Sequence, residues 1–142
     1  MKSFMNRNIF VDTSGYYALL INQDRTHKKA VDVLHKAAEE KIQFITTDYI
    51  LDEIATLLQF REAGHIIPEF FKSVFNSQGC QVEWMDEDLF QQTKIFFLKN
   101  IDHRYSFTDC FSFIVMKKIG LEKALTKDHH FREVGFTPLL SE

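Results

Sequence analysis

Cysteine is scarce in this chain of 142 residues: Cys80 and Cys110 stand far apart, with no Cys-x-x-Cys pair. Neither a disulfide framework nor a zinc site is indicated, and the expected address is the reducing cytoplasm. Five glycines and two prolines exclude a collagen-like, linker-rich or low-complexity chain. No apolar run approaches the roughly 18 residues that span a bilayer. The opening segment MKSFMNRNIF has no secretory apolar core, so no membrane partner is expected. A basic surplus is missing too. Against 20 acidic residues stand 17 basic ones, a net charge of −3, unlike a protein that grips nucleic acid by positive charge alone. What remains is ordinary for a globular protein, 45% hydrophobic and 26% charged. The length suits one domain over residues 1–142 with a core of its own.

Short apolar runs alternate with helix-period segments. Ile9-Phe10-Val11 reads as a buried strand ending at Asp12-Thr13-Ser14-Gly15. Apolar residues recur at helical spacing from Thr26 to Glu40, and Ile42 to Ile45 is a second strand. Thr46-Thr47-Asp48 caps a helix through about Phe60, Gly64 breaks it, and a further amphipathic stripe runs from Ile66 to Phe75. Alternation through Cys80, Val82 and Trp84 marks a third strand, and Asp86-Glu87-Asp88 opens another helix. Past a polar loop from Asn100 to Ser106 comes a helix over Thr108 to Ile119, closed by Gly120. Ala124-Leu125-Thr126 is a fourth strand. Phe136 to Leu140 is a fifth, at a sheet edge, because Pro138 removes a ladder donor. The order β-α-α-β-α-α-β-α-α-β-α-β implies a parallel sheet covered on both faces. Fifteen phenylalanines fall mostly on the apolar stripes and read as core packing.

Open α/β sheets bind ligands beyond the carboxyl ends of their strands, at the point where strand order reverses. Asp12 follows strand one directly and Asp128 follows strand four, so the two carboxylates converge if those strands are neighbours. Ile50, Ile54, Leu57 and Leu58 define the buried stripe of their helix; Glu53 lies on its border, where helix meets sheet, and Asp52 points to water. Asp109 opens a helix that is apolar around nearly its whole circumference, with Thr108 as its N-cap and Ser112 one turn on to orient the acid. A carboxylate there must be paired, hydrogen-bonded or bound to a metal. His129 and His130 adjoin Asp128, but without a third nitrogen or sulfur ligand the set reads as oxygen-only, which suits Mg²⁺ or Mn²⁺ rather than zinc.

The segments IFVDTSGYYALL, TTDYILDEIATLL, YSFTDCFSFIVMKKIG and ALTKDHHF, in that order and spacing, resemble a PIN domain. They are most similar to the small VapC-type ribonucleases of toxin–antitoxin systems. The resemblance implies a three-layer α/β/α sandwich with a central parallel sheet of strand order 3-2-1-4-5. It maps the family's four acids onto Asp12, Glu53, Asp109 and Asp128, and supporting hydroxyls onto Thr13, Ser14, Thr108 and Thr126. The implied activity is Mg²⁺- or Mn²⁺-dependent endonucleolytic hydrolysis of RNA that leaves 5′-phosphate and 3′-hydroxyl ends. A cognate antitoxin and a homodimer are the implied protein partners.

In that reading Asp12 and Asp109 hold the principal ion, Asp128 completes its shell or shares a second, and Glu53 orients the attacking water. Arg104, Lys127 and Arg132 grip the RNA, with His129, His130 and Tyr105 as further contacts. Two other enzyme classes on a similar sheet fit less well. A haloacid-dehalogenase phosphatase needs D-x-D after strand one, where Ser14 replaces the second acid, and a receiver domain needs an Asp after strand three, where Trp84-Met85 stand. A PIN-like module that binds RNA or protein without cutting is the non-enzymatic alternative. Setting the four acids aside leaves 16 acidic against 17 basic residues, so the acidity is partly the expected metal site itself.

Overall fold

Three successive buried residues, Ile9, Phe10 and Val11, end strand β1 (Asn6–Val11) at the centre of the computed structural model, which describes residues 6–141. The first five residues, half of the opening segment read above for a secretory core, lie outside the described part. Such a run suits a strand buried on both faces, as in parallel sheets. From β1 the chain passes through α1 (Thr13–Leu20) and α2 (His27–Glu39) to β2 (Phe44–Thr47). Helices α3 (Asp48–Phe60) and α4 (Ile67–Asn76) lead to β3 (Cys80–Glu83). Next come α5 (Glu87–Lys99), α6 (Phe107–Ile119), β4 (Leu121–Leu125), α7 (His130–Glu133) and β5 (Thr137–Pro138). The sheet order is β3-β2-β1-β4-β5, with every pairing parallel. This is the expected order 3-2-1-4-5. The chain steps outward from β1 through β2 to β3 and then returns to β4 on the other side of β1, so the reversal of strand order falls between β1 and β4.

Several boundaries differ from the sequence reading. β2 begins at Phe44 rather than Ile42, because the Ile42 amide donates to Ala37 O and closes the end of α2. It runs on through Thr46 and Thr47, both fully buried. The Thr46 hydroxyl donates to Val11 O at 3.0 Å, and the Thr47 hydroxyl accepts from the Ile50 amide as the N-cap of α3. β4 starts at Leu121 instead of Ala124, since buried Leu121 pairs with Asn6 across the sheet. The fifth strand contracts to Thr137–Pro138 at the sheet edge.

The phenylalanine excess is chiefly core. Phe10, Phe111, Phe113 and Phe131 are fully buried, and Phe113 meets Phe131 edge-on with ring centroids 5.0 Å apart. Among the described residues Phe60, Phe75 and Phe90 are the exceptions, exposed on α3, α4 and α5. Gly15, in the first turn of α1, lies against the end of β4. A Cβ there would stand 2.0 Å from Leu125 O, so only glycine lets the two backbones approach this closely. That approach sets the start of α1 beside the residues that follow β4.

Candidate active site

Asp12 is the N-cap of α1 and is almost wholly buried. Its Oδ1 accepts from the Gly15 amide and the Ser14 hydroxyl, each at 2.9 Å, and its Oδ2 accepts from the Thr126 hydroxyl at 2.6 Å. The Thr126 hydroxyl in turn accepts from the Asp128 amide, and the Ser14 hydroxyl from the Lys127 amide. Side chains at the end of β1 and backbone at the end of β4 are thus tied into one network. Burial raises the Asp12 carboxyl from 3.8 to about 7, outweighing three hydrogen bonds that favour the charged form, and the nearby Asp109 charge pushes it the same way.

Asp109 sits in the first turn of α6. The N-cap of that helix is Ser106, not Thr108. The Ser106 hydroxyl accepts from the Asp109 amide at 2.9 Å while Asp109 Oδ2 accepts from the Ser106 amide at 3.3 Å, a capping box that starts the helix at Phe107. Ser112 does not orient Asp109, as its hydroxyl donates back to Thr108 O at 3.1 Å. Burial raises the Asp109 carboxyl, and the charges of Asp128 and then Glu53 add to the effect. Asp109 thus lies within electrostatic reach of the other three acids.

Glu53 is exposed, and it meets α1 rather than the sheet: the Thr13 hydroxyl donates to its Oε1. Asp52 faces solvent as expected. All four acids line one polar cleft of about 390 Å³, together with Thr13, Ser14, Tyr17, Asp24, Leu57, Arg61 and Lys127. Thr108 lines an adjoining depression with Glu53, Tyr49 and Phe60.

The sequence reading missed Arg61, Tyr17 and Asp24 on the cleft wall. Arg61 follows the last turn of α3 and donates to the Tyr17 hydroxyl at 3.3 Å, and Lys127 pairs with Asp24. Two turns of helix separate Arg61 from Glu53, which was the available signal. Of the expected RNA contacts, only Lys127 lies on this wall. Arg104 is exposed on the turn before α6 and Arg132 is exposed on α7. His129 Nε2 lies 3.6 Å from Glu133 Oε2. Tyr105 is buried, donates to Glu133 at 3.0 Å and packs edge-on against Phe113, so it is a core residue.

Among the described residues, no lysine or arginine forms an ion pair with Asp12, Glu53, Asp109 or Asp128. A buried carboxyl raised to about 7 that shares a cleft with three other acids, none of them ion-paired to a lysine or arginine, is a donor set that fits a divalent cation. A separate apolar cavity of about 350 Å³ lies between α1, α2 and α4, but it offers phosphodiester chemistry no acidic or basic group.

The PIN domain family matches residues 9–137. The curated 23S rRNA-specific endonuclease VapC20 of Mycobacterium tuberculosis, in both the CDC 1551 and H37Rv strains, is 32% identical over 134 residues, covering 94% of this chain and 99% of the relative. The crystal structure of Mycobacterium tuberculosis VapC20, described as a Sarcin-Ricin loop cleaving toxin, superposes with a TM-score of 0.77 at 32% identity, covering 91% of this chain and 96% of that one. With the family matched along most of the sequence and the relatives matched nearly end to end, the chain belongs to the PIN domain family, among its VapC-type ribonucleases.

Proposed function

We propose that this chain is a divalent-metal-dependent endoribonuclease, with Asp12, Asp109 and Asp128 holding the ion and Glu53 positioning the attacking water. Membership among the VapC-type ribonucleases makes it a toxin of the toxin–antitoxin class. The finer reading rests above all on four carboxylates meeting in one cleft with, among the described residues, no lysine or arginine paired to any of them. A bound Mg²⁺ or Mn²⁺ would supply charge neutralisation at the phosphate and a lowered pKa for water.

The chain's own groups do the positioning. Asp12 is held by donors from both β1 and β4 ends, so its oxygens need no rearrangement when an ion arrives. Glu53, steadied by Thr13 at the exposed side of the cleft, accepts the proton of the water that attacks phosphorus. As the new bond to phosphorus forms, the bond to the 3′ oxygen breaks and that oxygen takes a proton from solvent, leaving a 5′-phosphate and a 3′-hydroxyl. Lys127 and Arg61 offset the charge of phosphates at and beside the scissile one. Thr13, Ser14 and Thr126 support the acids through the hydrogen bonds described.

Purified protein incubated with RNA and Mg²⁺, Mn²⁺ or EDTA tests the proposal, with 23S rRNA, the target named for the relatives, as the first substrate. Cleavage with metal, 5′-phosphate ends, and loss of activity in folded Asp12→Asn and Asp109→Asn proteins are expected. Retained cleavage by the double variant refutes the assignment, and RNA protection without cleavage at saturating Mn²⁺ favours a binding module. A single domain, a cytoplasmic address, a cognate antitoxin and a homodimer form the rest of the proposal, and light scattering of the purified protein checks the last.

A further inference from the structure

The carboxylates do not face one another alone. His130, the first residue of α7, turns its ring toward them: Nδ1 lies 3.3 Å from Asp128 Oδ1 and 3.9 Å from Asp109 Oδ2. That nitrogen is buried and makes no hydrogen bond, and it is the one such side-chain atom among the described residues. An unpartnered buried nitrogen is costly unless something absent from the protein completes it. The ring is not free to turn away. Tyr105 packs edge-on against it with centroids 5.1 Å apart, and the His130 amide donates to Asp128 Oδ1 at 2.9 Å, which fixes the backbone beneath the imidazole. One ligand atom from each of Asp109, Asp128 and His130 lies within 4.8 Å of the other two. Two ligands each about 2.1 Å from an ion stand about 3 Å apart at right angles and about 4.2 Å apart when opposed, a range that holds both His130–carboxylate distances.

We propose that His130 Nδ1 is a direct ligand of the divalent ion, beside Asp109 and Asp128, and that this nitrogen shifts the site's preference from Mg²⁺ toward Mn²⁺. The inference rests on the metal reading above and departs from the oxygen-only donor set expected from sequence. Binding uses the neutral imidazole, with the lone pair on Nδ1 and the proton on Nε2. Both ions take carboxylates, but Mg²⁺ dehydrates reluctantly and keeps oxygen ligands. Mn²⁺, the first member of the transition-metal affinity series, exchanges water for an imidazole nitrogen more readily, so the nitrogen contributes more to the second ion.

Pulsed electron paramagnetic resonance on Mn²⁺ bound to the wild-type protein, without RNA, reads the ligand directly. A directly coordinated ¹⁴N coupling is expected, lost in His130→Gln and kept in His129→Gln. By titration calorimetry His130→Gln should weaken Mn²⁺ binding by at least about tenfold, the loss that follows removal of even an outer partner of a metal ligand, and weaken Mg²⁺ binding less. Circular dichroism checks that both variants fold. Bound Mn²⁺ without nitrogen coupling in the wild type overturns the His130 ligand and leaves the carboxylate site standing. Coupling that disappears with His129→Gln instead also overturns it. Failure of the wild type to bind Mn²⁺ overturns both readings.

Discussion

Replacing Asp12 by Asn should stabilise the metal-free protein while destroying its activity. The carboxyl is 6% exposed, and burial lifts it from 3.8 to about 7, chiefly through lost hydration. Each unit is worth about 1.4 kcal/mol, so ionised Asp12 costs the folded state about 4 kcal/mol at pH 8. The sign follows from proton affinity: the folded state binds this proton more tightly than the unfolded chain does. Stability is therefore unaffected below the unfolded value of 3.8, falls as pH rises toward 7, and levels off above it. Asparagine carries no charge and caps a helix as well as aspartate does. Re-aiming the Thr126 hydroxyl, which now donates to Oδ2, costs about 1 kcal/mol. The net gain at pH 8 is about 3 kcal/mol, which at an urea slope of about 2 kcal/mol/M raises the midpoint by about 1.5 M. At pH 5 the advantage should shrink by more than half. Urea melts in EDTA at the two pH values measure both numbers. A variant midpoint equal to or below the wild type at pH 8, or an advantage that does not shrink at pH 5, refutes the argument. Adding Mn²⁺ at about a hundred times its dissociation constant should restore about 2.7 kcal/mol to the wild type and little to the variant.

Three further outcomes follow from the same geometry. Gly15→Ala drives a Cβ to 2.0 Å from Leu125 O and must push α1 off β4, so urea denaturation should show a loss of about 3 kcal/mol along with reduced RNA cleavage. Thr126→Val removes the donor to Asp12 Oδ2 and the acceptor for the Asp128 amide, and calorimetry should find divalent-ion affinity down about 10–100-fold with the fold retained. Lys127→Ala and Arg61→Ala should each weaken binding of a non-cleavable RNA and flatten the plot of log affinity against log salt by about 0.7 per contact, measured by fluorescence anisotropy.

Layer order was legible because strands buried on both faces read as unbroken apolar runs, and the crossover rule leaves few ways to join them. Ile9-Phe10-Val11 announced a buried strand, whose central place was implied only by the PIN resemblance, and the acids closing β1 and following β4 marked the candidate site edge. Element ends were less legible where side chains compete for the same amide. Thr108 and Ser106 are both good caps by type, and only the reciprocal bond with Asp109 selects Ser106. Glu53's neighbour was hidden for a related reason. A helical wheel shows which way a residue points along its own helix, but the partner on that side, Thr13 of α1, is fixed by how α1 and α3 pack.

Sequence alone thus determined the parallel sheet and pointed to four acids as candidates, since periodicity and strand-end position are local properties. Tertiary structure decided what those acids are worth. Only folding buries Asp12 against the end of β4 and lifts its carboxyl to about 7, sets Arg61 on the cleft wall in place of Arg104 and Arg132, and turns a lone His130 nitrogen onto two carboxylates. Burial and long-range contact are sums over the whole packed chain, and no window of residues contains them.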